Sequence, residues 1–358
     1  MKPLKIAMLS LTHGHTRKYY QTLNDNPKLE WVAVYAETET VKNNFLKWGY
    51  DIPCYMDEKE MFDKHPDIEA VVMASANYIH LRQFRECAKR GIHVLSMKIP
   101  TFDMDEYAEI EELVEKSGIV CHVELEMHYN PVTTRLYEMI ARNELGKISA
   151  INATNITLSP VWAFPWQGIP EQSYGKRVSL KPGDKRFRGG ALSDHPHVFD
   201  MIRWLTNSEF DYVYAEAGPN IRQDIEVEDI LLVNGKMKNG VSFLFDPSWS
   251  RLEERLEVPA PGWEIFPKRM EVNLAISGEN GVILADCFGP NVYHNGKPND
   301  RYTVQYTYFD EWIGMMDEFV DCVRNKKMPK INLKWHRKTI EAMNACYESI
   351  SSGKPVCL

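Results

Sequence analysis

Over its first 125 residues the chain alternates short, unbroken apolar runs with stretches of helical spacing, and few folds accommodate that rhythm. The runs are Lys5–Leu11, Trp31–Ala36, Ala70–Ala74, His93–Ser96 and Ile119–Leu125. Between them Thr16–Leu23, Val41–Trp48, His80–Arg90 and Met104–Lys116 carry helical spacing. A strand with no polar face must be buried on both sides, so the pattern predicts a parallel sheet with helical crossovers covering it. Gly91 and Gly118 each follow a helical stretch and precede a strand, where a helix C-terminus favours a left-handed residue. The expectation is a doubly wound α/β unit.

Past about residue 146 the rhythm changes. Lys147–Leu158, Tyr212–Ala217, Ile230–Met237, Val241–Phe245, Met270–Ser277 and Val282–Leu284 read as strands, with turn signals at Asn239-Gly240, Asn280-Gly281 and Asn295-Gly296. Helices are predicted over His197–Leu205, Phe309–Arg324 and Lys334–Ser351. Runs of strands with long return helices give an α+β domain built on an open, mostly antiparallel sheet. The division expected is 1–125 and 126–358, with the C-terminal helix a candidate to pack back on the first domain. Trp162–Arg188, rich in Pro, Gly, Trp and basic residues, reads as one long loop, and loops of that length are usually functional.

Composition removes several function classes. Lys plus Arg number 42 against 50 for Asp plus Glu, a net charge of −8, so the basic excess that phosphate backbones demand is missing. No apolar run approaches the roughly 20 residues of a bilayer crossing. Met1 to Leu11 runs from a basic start into patterned sequence without a small-residue cleavage site, so a strand is expected there and no signal peptide. The seven cysteines are scattered, with no Cys-x-x-Cys pair, which fits reduced thiols. A soluble cytoplasmic protein is expected.

Three segments carry chemistry-bearing residues. After the first strand comes Ser10-Leu11-Thr12-His13-Gly14-His15, where a dinucleotide-binding unit places a glycine-rich turn at a helix N-terminus. Ser10, Thr12 and His15 stand in the three glycine positions, and Gly14 alone is left to relax the turn. Glu37, at the end of the second strand, is placed to accept hydrogen bonds from adenosine ribose hydroxyls and to repel a 2′-phosphate; a solvated strand-end carboxylate is the bland alternative. Lys98 follows the apolar run His93–Ser96 at the carboxyl edge of the sheet, where an ammonium can stabilise negative charge developing on oxygen. Asp194-His195-Pro196-His197 precedes an amphipathic helix that Asp194 is placed to cap. That does not explain two imidazoles beside it, and His is the usual group for taking a hydroxyl proton near neutral pH. The His13/His15 and His195/His197 pairs, with His122, Glu124, Glu126 and His128 between them, have spacing that can ligate zinc, but no cysteine supports such a set and no metal is expected.

Taken in order, these segments resemble the glucose–fructose oxidoreductase / inositol dehydrogenase / MocA (Gfo/Idh/MocA) family over nearly the whole chain. Ala70 to His80 is similar to its fourth strand and the Asn…His turn after it, and Gly91 to Lys98 to its Glu-Lys-Pro segment. Asn130-Pro131 with Gly146-Lys147 matches its domain crossover, Gly189 to Leu205 its Gly-Gly…Asp…His…Asp…Arg-Trp-Leu helix entry, and Ala345 to Val356 its C-terminal helix. The resemblance implies an N-terminal Rossmann domain, a C-terminal α/β domain that often forms subunit contacts, and NAD. It implies cofactor contacts from Ser10, Thr12, His13, Gly14, His15, Glu37, Ser75, Asn77, His80 and Lys98, and a catalytic set of Lys98, Asp194 and His197. Substrate contacts are expected from Lys98, His128, His195 and His197, and from Trp162, Trp166 and Tyr174 in the long loop. Three departures are visible. The turn lacks its glycines, Met97 replaces the Glu of Glu-Lys-Pro, whose Pro is displaced to Pro100, and the Asp194–His197 spacing is one residue short. His195 therefore stays open as the base. The implied activity is NAD-dependent oxidation of a secondary hydroxyl of a sugar, polyol or glycoside in a homo-oligomer, with the cofactor either dissociable or held and recycled. A non-catalytic nucleotide- or sugar-binding member is the alternative.

Overall fold

A computed structural model of the chain describes residues 2–11, 13, 15–157, 190–223, 225–250, 270–288, 291–295, 301–305 and 310–358. The loop Trp162–Arg188, with Trp162, Trp166 and Tyr174, lies outside the described residues, as do Thr12 and Gly14. Among those described, residues up to Leu125 and Trp312–Arg337 form one compact unit; residues from Glu126 to Glu311 with Lys338–Leu358 form another.

The first unit is a six-stranded parallel sheet. Its elements are β1 (Leu4–Leu9), α1 (Thr16–Asp25), β2 (Leu29–Tyr35), α2 (Glu39–Leu46), β3 (Cys54–Tyr55), α3 (Glu58–Lys64), β4 (Ala70–Met73), α4 (Asn77–Arg90), β5 (His93–Ser96), α5 (Met104–Ser117) and β6 (Cys121–Val123). The strand order is β3-β2-β1-β4-β5-β6, so the chain reverses its lateral direction between β1 and β4. Every residue of β4 is buried, as is all of β1 except Lys5, which is why these strands read as unbroken apolar runs. The carboxyl ends of the strands at such a reversal form the crevice where open α/β sheets bind ligands. Gly91 and Gly118 close α4 and α5 at φ +69° and +70°, the left-handed conformation their positions predict. Helix α5 starts on Asp103, whose carboxylate accepts from the backbone N–H groups of Asp105 and Glu106.

The second unit holds a 3₁₀ turn (Glu126–Tyr129), α6 (Pro131–Ala141), β7 (Ile148–Thr157), α7 (Ala191–Asp194), α8 (Pro196–Thr206), β8 (Phe210–Ala217), β9 (Leu231–Met237), β10 (Ser242–Asp246), β11 (Met270–Gly278), β12 (Gly281–Asp286), β13 (Asn291–Asn295) and β14 (Arg301–Gln305), and closes on β15 (Val356–Cys357). The sheet order is β14-β13-β12-β11-β7-β10-β9-β8-β15, antiparallel throughout except for the β7–β10 pair. β9 alternates buried and exposed residues along its whole length, the signature of a sheet with one covered face. On that face the ring of Phe199 from α8 stacks on Phe210 at 4.5 Å, with Phe243 and Phe245 beside it.

Two long helices end the chain, α9 (Glu311–Asn325) and α10 (Leu333–Ser352). Residues 312–337 belong to the first unit, where Arg324 pairs with Glu69 at 2.6 Å and Arg337 with Glu111 at 2.5 Å. No helix among the described residues is long and apolar enough to cross a membrane, and all seven cysteines are free thiols.

Candidate functional site

In the first unit, β1 leads into a turn that keeps the backbone course of a glycine turn with other residues. Ser10 adopts φ +74°, and its N–H donates to the Tyr35 carbonyl at 3.1 Å. The left-handed region costs a non-glycine residue about 1–2 kcal/mol. Beside Ser10 lies Glu37. Burial pushes its carboxyl above the ordinary range, opposed by hydrogen bonds from the Ser10 hydroxyl, its own N–H and the Leu11 N–H. Its Oε2 is buried and has no hydrogen-bond partner among the described residues.

The two imidazoles of the turn differ in role. His13 is buried, accepts from the His15 N–H on Nδ1 at 3.1 Å, and gives its carbonyl to the Thr16 hydroxyl at 2.8 Å, which pins the start of α1. His15 occupies the N-cap of α1 without capping it, and the first turn holds no acidic residue. Its Nδ1 lies instead 2.7 Å from Oε1 of Glu124, a carboxylate with no exposure whose Oε2 accepts from the Tyr19 hydroxyl at 3.0 Å. Trp312 presents its ring edge-on to both His15 and Tyr19. Sequence reasoning offered Glu124 only as a possible metal ligand and did not find Tyr19 or Trp312. The partners are 109 and 105 residues from Glu124, and no local pattern encodes such a meeting.

At the end of β4 the three implied cofactor residues turn toward the protein. The Ser75 hydroxyl donates to Gln83, and the Asn77 amide donates to the Ile99 carbonyl at 2.8 Å. His80 sets Nδ1 2.8 Å from the Pro100 carbonyl and Nε2 2.9 Å from that of Ser75. Asn77 and His80 thus hold the segment after Lys98, itself buried just beyond β5. Both ring nitrogens of His80 thus face backbone carbonyls.

Burial lowers the His80 pKa to about 4, against hydrogen bonds to Pro100 and Ser75 that raise it. The unfolded chain takes up a proton near pH 6.5 and the folded one only near 4. The folded state therefore binds fewer protons between those values, and stability falls as pH drops from about 6.5 to about 4 and levels off below. His80→Gln should flatten this part of the stability–pH curve in urea unfolding; an unchanged slope would place the titration elsewhere.

In the second unit the Asp194–His197 segment differs from its sequence reading. Asp194 ends α7 and does not cap α8, because Pro196 fixes the first helical position and puts His195 at the N-cap. The Asp194 carboxylate instead accepts from the Trp249 indole at 3.1 Å and lies 3.4 Å from His195 Nε2. His195 places Nδ1 2.7 Å from the Pro247 carbonyl. His197, in the first turn of α8, faces a different carboxylate: Nδ1 lies 3.3 Å from Oε2 of Glu126, both side chains at or below 10% exposure. His128, expected to meet substrate, packs against α8. Its Nε2 lies 2.5 Å from Asp200 Oδ2, and its ring is 4.3 Å from that of Trp204.

The geometry of the first unit fits a dinucleotide. Among the described residues, a buried carboxylate oxygen just past β2 has no hydrogen-bond partner, a left-handed residue follows β1, and α1 begins with no side-chain cap and no acidic first turn, as a diphosphate requires.

Comparison with known proteins agrees. A family model described as an oxidoreductase family with an NAD-binding Rossmann fold matches residues 6–125, and one for the Gfo/Idh/MocA C-terminal domain matches residues 133–284. Myo-inositol 2-dehydrogenase of Thermotoga maritima is 22% identical over 78% of this chain and 76% of its own length. D-xylose 1-dehydrogenase (NADP(+)) 2 of Haloferax volcanii is 28% identical over 90% of this chain and 91% of its own. Among solved structures, an oxidoreductase of Agrobacterium radiobacter in complex with NAD+, L-tartaric acid and magnesium superposes with a TM-score of 0.79 at 14% identity, covering 99% of this chain and 98% of that one. With both family domains matched in order, the chain belongs to the Gfo/Idh/MocA family of oxidoreductases and carries its NAD-binding Rossmann domain.

Proposed function

We propose that this protein oxidises a secondary hydroxyl of a sugar, polyol or glycoside, using NAD. The observation that carries the reading is Glu37, whose buried Oε2 lacks a hydrogen-bond partner among the described residues at the strand end where a ribose diol is recognised. The sugar and polyol dehydrogenases among its relatives supply the substrate class. Ser10, His13, His15, Glu37, Ser75 and Asn77, with Thr12 and Gly14, are the residues proposed to hold the cofactor or shape its bed. When bound, the nicotinamide supplies a hydride acceptor.

The chain's own residues manage the proton. His197 is assigned the hydroxyl proton at Nε2, since Nδ1 is turned to Glu126. Lys98 is assigned to stabilise, from Nζ, negative charge developing on the reacting oxygen. Asp194 and His195, linked to each other and to Trp249 and Pro247, are assigned to shaping the substrate side, together with Trp162, Trp166 and Tyr174. A homo-oligomer is proposed as well, on the exposed Leu232, Leu244 and Leu284 of the open sheet, as is a cytoplasmic location, on the free thiols.

Mass spectrometry of the denatured, purified protein should release NAD if the cofactor is held and recycled. A dissociable cofactor should instead show as NADH formed on mixing with NAD+ and a panel of aldoses, polyols and glycosides. Absence of both would favour the non-catalytic binding protein, the reading that the substituted glycine turn supports.

NAD+ should bind about tenfold or more tightly than NADP+, because a 2′-phosphate would meet the Glu37 carboxylate in a mostly buried site. Titration of both cofactors checks this, and tighter NADP+ binding would refute it.

A further inference from the structure

Ser10 stands where the backbone favours glycine. Its φ is +74°, the side chain is wholly buried, and its N–H donates to the Tyr35 carbonyl, which joins the turn to β2. Glycine takes this conformation without strain and would make the same backbone bond. A serine held there must be offset by something only its side chain supplies, because strained conformations persist where function or surrounding structure requires them. The side chain offers one group, a hydroxyl, and that hydroxyl donates to Glu37.

The Glu37 carboxylate has few other means of orientation. Among the described residues it also accepts from the backbone N–H groups of Leu11 and of Glu37 itself, and the nearby Glu58 charge is repulsive. Among these donors the Ser10 hydroxyl is the one from a side chain. With these bonds made, Oε2 remains buried and without a hydrogen-bond partner among the described residues.

We infer that Ser10 is a positioning residue for cofactor selection: its hydroxyl fixes the Glu37 carboxylate so that Oε2 meets the adenosine ribose diol of NAD. This rests on the reading of Glu37 as the ribose-binding group. It goes further in assigning the loss of the first glycine a purpose. The turn gives up conformational ease and gains a donor that holds the discriminating acid in place. Ser10 then acts on the cofactor through Glu37.

The test is calorimetric titration of the full chain with NAD+ and with NADP+, for the wild type and for Ser10→Ala, Ser10→Gly, Glu37→Gln and the Ser10→Ala/Glu37→Gln double variant. Both Ser10 variants are expected to weaken NAD+ binding about tenfold, the scale of a hydrogen bond to a charged group, and to narrow the NAD+/NADP+ ratio. Ser10→Gly should melt above Ser10→Ala, because glycine relieves the positive φ while both lack the hydroxyl. In the Glu37→Gln background the Ser10→Ala change should alter NAD+ affinity less than about twofold, as expected for two residues acting as one unit. A merely structural serine would weaken both cofactors equally and do so in either background. Wild-type affinity and ratio in Ser10→Ala, or an undiminished loss on top of Glu37→Gln, would overturn the inference while leaving Glu37 as the ribose group. A wild type that binds NAD+ with no dependence on Glu37 would overturn the ribose reading itself, and this inference with it.

Discussion

Lys98→Ala and His197→Ala are each expected to lower turnover by about 10²-fold or more, the scale of a lost acid–base or charge-stabilising group. His195→Ala should cost less than about tenfold. The difference rests on how the two imidazoles are held. His195 places Nδ1 2.7 Å from the Pro247 carbonyl and Nε2 3.4 Å from both the Thr157 hydroxyl and Asp194, so it is tied into the scaffold of its unit. His197 sets Nδ1 3.3 Å from the Glu126 carboxylate, and an acid beside an imidazole can orient it as a base. Lys98 is buried at a strand end, so its removal takes away a donor that water replaces poorly. Steady-state rates with a deuterated secondary alcohol would show whether the hydride step is the one slowed. If His195→Ala is the inactive variant and His197→Ala turns over normally, the roles of the two histidines are exchanged.

The parts of this protein that could be read from its sequence are those whose cause is local. β1 and β4 announce themselves because both faces are buried, and the left-handed Gly91 and Gly118 because a helix end followed by a strand demands them. β9 shows its period of two because one face is wet. Elements with weaker local signals are not legible in the sequence. β3 and β15 are two residues each, β13 and β14 are short and polar, and α6 begins on a proline that reads equally as a turn. In the candidate site the residue types were legible and their partners were not. Two histidines beside an acid suggested that Asp194 serves His197. Pro196 shifts the helix start by one residue, so Asp194 meets Trp249 and His195, and His197 turns to Glu126 from a distant 3₁₀ turn. Likewise Glu124 becomes interpretable only once the fold brings His15 and Tyr19 to it. A buried carboxylate selects its donor by three-dimensional proximity, and sequence spacing records that only within one element.

The largest loss of stability is expected from Asp200→Ala, about 3–5 kcal/mol, because it leaves a buried guanidinium short of its countercharge. Asp200 has no exposure and Arg203 only 1%. Oδ1 of Asp200 accepts from Arg203 at 3.2 Å and from the Thr339 hydroxyl at 2.8 Å, while Oδ2 lies 2.5 Å from His128 Nε2. Burial alone would raise this carboxyl, but His128, Arg203 and Thr339 together hold it below the ordinary aspartate range. With the folded pKa depressed, the stabilisation is present above the unfolded pKa of about 3.9 and is lost as pH falls through the folded value. Wild type and variant should therefore differ fully at neutral pH and converge in strong acid. Arg203 is fixed from its other edge by Glu209 at 2.7 and 2.8 Å, so the group left behind cannot swing into water without breaking a second pair. The network matters to the site because Asp200 and Arg203 lie on α8, one and two turns after His197, and Thr339 and His128 bind that helix to α10 and to the 3₁₀ turn that carries Glu126. Loosening α8 shifts His197 relative to Glu126. Asp200→Asn, which keeps the shape and part of the hydrogen bonding, should lose less stability than Asp200→Ala and retain more of the turnover. Urea unfolding at neutral pH measures the stability difference, and a loss below about 1 kcal/mol for Asp200→Ala would show that His128 and Arg203 find other partners.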